Sequence, residues 1–131
     1  MKKIFVILFA PFFISFCLAA LIKVKSPDKY ALNLSDIDLN QYLIIDARSK
    51  EEFEVSHITK ALHANELDVV KKHIQKHPRL KPLVLIYCND KCSYSKHFSK
   101  LIRHALNQEN IYYLKGGFQS WSQTQPAKDL P

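Results

Sequence analysis

The stretch PLVLIYCNDKCSYSKHFSKLIRHAL (82–106) decides the fold. Its first part, PLVLIYC (82–88), is an unbroken apolar run of the kind found at the centre of a parallel sheet, where both faces are covered. In residues 95–107 the period changes: Phe98, Leu101, Ile102, Ala105 and Leu106 recur at helical spacing and leave a polar opposite face. A buried strand that hands the chain to an amphipathic helix is one half of a β–α crossover. Between the two lie Cys88, at the strand end, and Cys92, four residues on.

The same alternation continues on both sides. Upstream, YLIID (42–46) is too short for a helix and suits a buried strand, and in SKEEFE (49–54) Ser49 and Glu52 make a capping box that opens a short helix. ALHAN (61–65) is a weaker strand candidate, and ELDVVKKHIQKH (66–77) is helical, with Leu67, Val70 and Ile74 on one face and Pro78 closing it. Downstream, IYYLK (111–115) is a further strand and FQSWSQ begins a last helix. Strands alternating with helices imply an α/β domain with a mostly parallel central sheet. Gly116 and Gly117, the only two glycines of the chain, stand together where a strand must turn into a helix, a position that calls for positive φ or close backbone approach.

The N-terminal part follows a different logic. Lys2 and Lys3 precede nineteen uncharged, mostly apolar residues, 4–22, which would form a helix roughly 28 Å long. Two readings fit: a transmembrane anchor, feasible despite Pro11, or a signal peptide with Cys17, Ala19 and Ala20 near its cleavage site. Lys2 and Lys3 on one side face Lys23, Lys25 and Lys29 on the other, so the positive-inside count does not fix the orientation of an anchor; the expectation for the rest of the chain is an extracytoplasmic location, in the periplasm or exported. The expected layout is a signal or anchor helix at 1–22, a polar linker at 23–35, a single domain at 36–125 and a tail at 126–131.

Removing Lys2 and Lys3 from the 19 basic residues leaves 17 against 12 acidic ones, spread over the length. Without a basic block or a ladder of aromatics, nucleic acid is not an expected partner. Apart from Cys17, the only thiols are Cys88 and Cys92, too few for a disulfide scaffold and close enough for chemistry or a labile bridge.

Three segments together resemble the rhodanese-like sulfurtransferase family: IIDARSKEEFEVSHITKALHANEL (44–67), LVLIYC (83–88) and IYYLKGGFQSW (111–121). The resemblance implies a three-layer α/β domain in which Cys88 is the nucleophile and Asn89, Asp90, Lys91, Cys92, Ser93 and Tyr94 form the active-site loop. It further implies a ping-pong transfer of sulfane sulfur, from thiosulfate or a persulfide to a small or protein thiol, through a Cys88 persulfide, with no metal or organic cofactor. The chain departs from the pattern at Ser56 and Lys60, where the family usually has glycine, and in a loop that lacks both glycine and arginine. Asn89 and Asp90 are expected to take the left-handed positions instead.

Independently of the family, a strand end followed by a helix N-terminus directs backbone N–H groups and the helix dipole at Cys88 and favours its thiolate, with Lys91 and Lys96 adding positive charge. A cysteine phosphatase would need a loop guanidinium to hold phosphate bidentately, and there is no arginine between Cys88 and Lys100. Cys92 is open to three roles: a resolving thiol, a metal ligand beside Cys88 and His97, or a passive helix-start residue. The rival to sulfur transfer is accordingly a redox or metal-binding module that uses the Cys88/Cys92 pair. Among the other polar residues, Asp46 and Arg48 read as an ion-pairing turn, His57 and His63 as structural, and His73 and His77 as part of a solvated helix face. Phe118 and Trp121 read as core anchors.

Overall fold

The computed structural model describes residues 27–77, 81–89 and 93–126. The segment 1–22, Asp90, Lys91, Cys92 and all of the tail beyond Pro126 lie outside the described residues. Five strands form one sheet: β1 (Ala31–Leu32), β2 (Tyr42–Asp46), β3 (Leu62–His63), β4 (Leu83–Tyr87) and β5 (Ile111–Leu114), in the order β1-β5-β4-β2-β3. Every pairing is parallel, so each connection crosses over, and the helices α1 (Lys50–Val55), α2 (Leu67–Gln75), α3 (Tyr94–Leu106) and α4 (Gly117–Ser122) occupy the connections or follow the last strand.

The apolar runs of β2 and β4 are unbroken because both sheet faces are covered. Ile45, Val84, Ile86 and Ile111 pack with Val70 and Ile74 of α2 and Phe98 and Ile102 of α3. Their neighbours Ile44, Leu85, Tyr87 and Leu114 face the other way, toward Ile58, Phe53, Phe118 and Trp121. Two cores back to back on one sheet make three layers, and Phe118 and Trp121 serve as the anchors the sequence suggested.

The capping box is formed: Glu52 N–H donates to Ser49 Oγ at 3.2 Å and Ser49 N–H to Glu52 Oε2 at 3.1 Å. α3 ends on Asn107, whose φ of 49° is left-handed. The sheet also starts earlier than hydropathy implies. Residues 31–35, read as part of a linker, hold β1 and the start of a 3-10 turn, Leu34–Asp36, and Ala31 and Leu32 are in register with Tyr113 and Leu114. Two residues are too few to show a period.

The two departures from the glycine pattern have different consequences. Ser56 is extended at φ −164°, where any side chain fits. Lys60 sits at φ 66°, as the third residue of a turn closed by Ala61 N–H donating to the Ile58 carbonyl at 2.9 Å. A left-handed lysine costs about 1–2 kcal/mol, whereas the added chain entropy of an unfolded glycine returns only about 0.4–1 kcal/mol of that. Lys60→Gly is therefore expected to stabilise the domain by about 0.5–1 kcal/mol, read as a higher urea midpoint at unchanged slope. A lower midpoint would show that the lysine is not strained.

Candidate active site

The site stands on a buried polar cluster. Asp46 ends β2 directly across from Tyr87, which ends β4, and both are fully buried. Arg48, two residues past Asp46, folds back: its Nε donates to Asp46 Oδ1 at 3.0 Å and its Nη2 to Oδ2 at 2.7 Å. Nη2 also donates to the Ser56 carbonyl at 2.7 Å, and the guanidinium lies 3.9 Å from the centre of the Phe118 ring. Tyr87 Oη donates to Asp46 Oδ2 at 2.5 Å and accepts the Ile58 N–H at 3.1 Å. Burial, and then the bond to Asp46, pushes the Tyr87 phenol far above its ordinary range, so it remains a donor. The ion-pairing turn read from the sequence is thus part of a larger cluster that ties β2, β4, the segment before β3 and α4.

Cys88 follows Tyr87 directly and is buried. Its carbonyl accepts the Phe118 N–H at 2.8 Å, across the strand-to-helix turn of Gly116 and Gly117. Both glycines have positive φ, 73° and 52°. At Gly117 the space is as restricted as the dihedral: a Cβ there would lie 2.3 Å from the Cys88 carbonyl oxygen and 2.8 Å from the Asn89 carbonyl carbon. The chain spends its two glycines on letting the β5–α4 turn touch the backbone of the residue singled out as nucleophile.

A cleft of about 260 Å³ opens here, at the C-terminal ends of β4 and β5, lined by Asn89, Ser93, Ser95, Lys96, Gly116 and Gly117 among others. Ligands of open parallel sheets bind at this edge. Ser93 precedes α3 in helical backbone without capping it by a side-chain hydrogen bond, and no acidic residue occupies the first turn of the helix, so the positive end of its dipole is not offset from within. Tyr94 opens α3 and its hydroxyl donates to the Asn65 carbonyl at 2.9 Å.

Some expectations are revised. Lys96 lines the cleft, but its ammonium pairs with Asp28 Oδ2 at 3.2 Å, so its charge is shared rather than directed at Cys88 alone. Among the described residues the left-handed backbone is at Lys60, Asn107 and the two glycines, not at Asn89. His97 lines a different cavity, of about 450 Å³, with Asp28, Lys100 and His104. No cluster of three or more metal-ligating residues occurs among the described residues, which do not include Cys92. His57 bonds the Phe53 carbonyl through Nδ1 at 2.9 Å, and His63 the Arg48 carbonyl through Nε2 at 2.8 Å, so both histidines serve the fold.

Two features escaped the sequence reading. In the sequence Tyr87 reads as one more apolar strand residue; its only signal is a hydroxyl in an aliphatic run, one residue before Cys88. Glu52 reads as a helix cap alone, yet its Oε1 accepts from Asn89 Nδ2 at 3.0 Å. The Asn89 amide, and next the Ser49 backbone, hold its carboxyl below the ordinary glutamate range.

Residues 26–124 match the family model described as a rhodanese-like domain. The thiosulfate sulfurtransferase GlpE of Coxiella burnetii is 30% identical over 87 residues, which are 66% of this chain and 78% of that protein. An uncharacterized protein of Buchnera aphidicola is 29% identical over 102 residues, 78% of this chain, and the match spans 64% of the length of that relative. Among solved structures, a Helicobacter pylori protein superposes with a TM-score of 0.59 at 23% identity, covering 72% of this chain and 83% of that one. The human single-domain sulfurtransferase TSTD1 superposes at 0.57 and 16% identity, covering 76% of this chain and 100% of that one. At these identities the two structures speak for the fold.

Two predictions follow from the geometry. Asp46→Ala strands a buried guanidinium and is expected to cost about 3–5 kcal/mol. Tyr87→Phe, which removes one hydroxyl and leaves the Ile58 N–H unsatisfied, is expected to cost about 1–3 kcal/mol; equal losses in urea melts would refute the cluster's hierarchy. Gly117→Ala forces contact with the Cys88 carbonyl and is expected to cost about 3 kcal/mol or more, whereas Gly116→Ala, which meets only the Ser120 side chain, should lose less.

Proposed function

The chain belongs to the rhodanese-like domain family, and from that premise we propose that it transfers sulfane sulfur through Cys88. The observation that carries the reading is the placement of Cys88: a buried residue at the end of the central strand, its carbonyl clamped by the Phe118 N–H, with the next residue, Asn89, and Ser93, which precedes α3, lining one cleft. A helix N-terminus at such a cleft favours thiolate, against the opposing effect of burial.

In the proposed first half-reaction the Cys88 thiolate attacks the outer sulfur of a donor such as thiosulfate. A new S–S bond forms, the donor's S–S bond breaks, and sulfite leaves with the bonding pair. The terminal sulfur of the Cys88 persulfide carries the negative charge, which N–H groups around the loop stabilise. In the second half-reaction an acceptor thiolate attacks that terminal sulfur and the Cys88 thiolate departs. Electrons balance without an external oxidant, so no metal or organic cofactor enters the scheme. Thiosulfate is favoured as the donor to try because a relative carries that activity in its name.

The absence of arginine from positions 89 to 100 argues against phosphoryl transfer by the same cysteine. Cys92 lies outside the described residues; we assign it the part of a resolving thiol that closes on Cys88 under oxidation. Residues 4–22 would carry the domain out of the cytoplasm, as an anchor or a cleaved signal, and retention of the native protein in carbonate-washed membranes distinguishes the anchor.

The full chain, reduced and then incubated with thiosulfate, is expected to gain the mass of one sulfur atom, to lose it with dithiothreitol, and to gain nothing as Cys88→Ser. Cys92→Ser should load normally in the reduced state but lack a reversible Cys88–Cys92 cross-link after mild oxidation. Loading of Cys88→Ser, or no loading of wild type with any sulfane donor, would sink the assignment.

A further inference from the structure

Glu52 joins two parts of the molecule that are far apart in sequence. Its Oε2 accepts the Ser49 N–H at 3.1 Å and completes the cap of α1, while its Oε1 accepts from the side chain of Asn89 at 3.0 Å. Asn89 is the residue after Cys88, and its backbone carbonyl is one of the groups that closes off the space at Gly117. The Cys88–Asn89 segment is therefore held from two sides: by the Gly117 turn and the Phe118 N–H on one, and by the Glu52 carboxylate on the other. α1 is itself fixed at its root, because Ser49 follows Arg48, which is locked onto Asp46 and the Ser56 carbonyl.

This arrangement matters in a loop without glycine or arginine. No guanidinium is available between Cys88 and Lys100 to brace the loop from inside, and Lys96, the next described lysine along the chain, is paired with Asp28. The brace comes instead from outside the loop, from a helix cap. A carboxylate suits the task because both its oxygens accept, so it can serve the Ser49 N–H and the Asn89 amide at once.

We propose that Glu52 is a positioning residue for Cys88: by gripping the Asn89 side chain it sets the orientation of the Cys88–Asn89 peptide at the mouth of the cleft. The inference rests on Cys88 being the reacting thiol. Both partners of the bond are exposed, so it contributes little to global stability, and its effect is on the reactivity of Cys88.

The test uses the full-length protein and two readouts: the rate and pH profile of Cys88 alkylation by iodoacetamide, followed on the Cys88 peptide by mass spectrometry, and loading by thiosulfate. Asn89→Ala is expected to slow alkylation at neutral pH about tenfold by moving its pH midpoint up about one unit, with the melting temperature unchanged. Asn89→Asp, which sets carboxylate against carboxylate, should slow it at least as much. Adding Glu52→Gln to Asn89→Asp restores a donor–acceptor pair of reversed polarity and should recover most of the rate. Asn89→Ala with wild-type alkylation, or a paired variant no better than Asn89→Asp alone, overturns the proposal. Because alkylation needs no sulfur donor, failure of thiosulfate loading in wild type would count against sulfur transfer while leaving the positioning result readable.

Discussion

The buried contact between Asp46 and Arg48 is the constraint on which the rest of the structure depends. A carboxylate and a guanidinium withdrawn from water are tolerated when they pair with each other and find further hydrogen-bond partners, and here Tyr87, the Ser56 carbonyl and the backbone of Arg48 are those partners. The geometry that satisfies the pair also locates everything around it. It aligns the ends of β2 and β4, which places Cys88; it roots α1, which places Glu52; and it offers a cation to the face of Phe118, which draws α4 against the sheet. An apolar core of equal volume would stabilise the sheet without specifying any of these positions.

The elements that were legible in the sequence are those whose signals are local. YLIID and LVLIY could be read as strands and residues 95–107 as a helix because burial on two faces or one leaves a mark in hydropathy, and Ser49 with Glu52 announces a helix start by spacing alone. β1 was not legible, since two residues paired to the last strand are defined by their partner and not by their own pattern. The same limit hid Tyr87 and the Glu52–Asn89 bond, which exist only once β2 and β4 are placed in register. The adjacent glycines were legible as a turn; that one of them is fitted against the Cys88 carbonyl was not.

Family membership and local chemistry here support one another from different directions. The resemblance read in the sequence points to Cys88, and the structure shows what this chain does at the two positions, 56 and 60, where glycine was expected. Lys60 accepts a strained backbone where glycine is customary, while Ser56 needs no such freedom. Asn89, the residue after Cys88, is held by an acidic side chain of α1.

The pairing of the first strand with the last has a consequence for how the chain comes into being. β1 is made of residues 31 and 32, and its partner is β5, at 111–114. Contacts of such long sequence separation form slowly and require both ends to be present. The sheet therefore cannot close at that edge until the chain has been made as far as residue 114, and β1, although made first, has no strand partner until then. The first strand to be made is thus among the last to be paired, and until β5 is in place the backbone groups of β1 that pair with it are left to water.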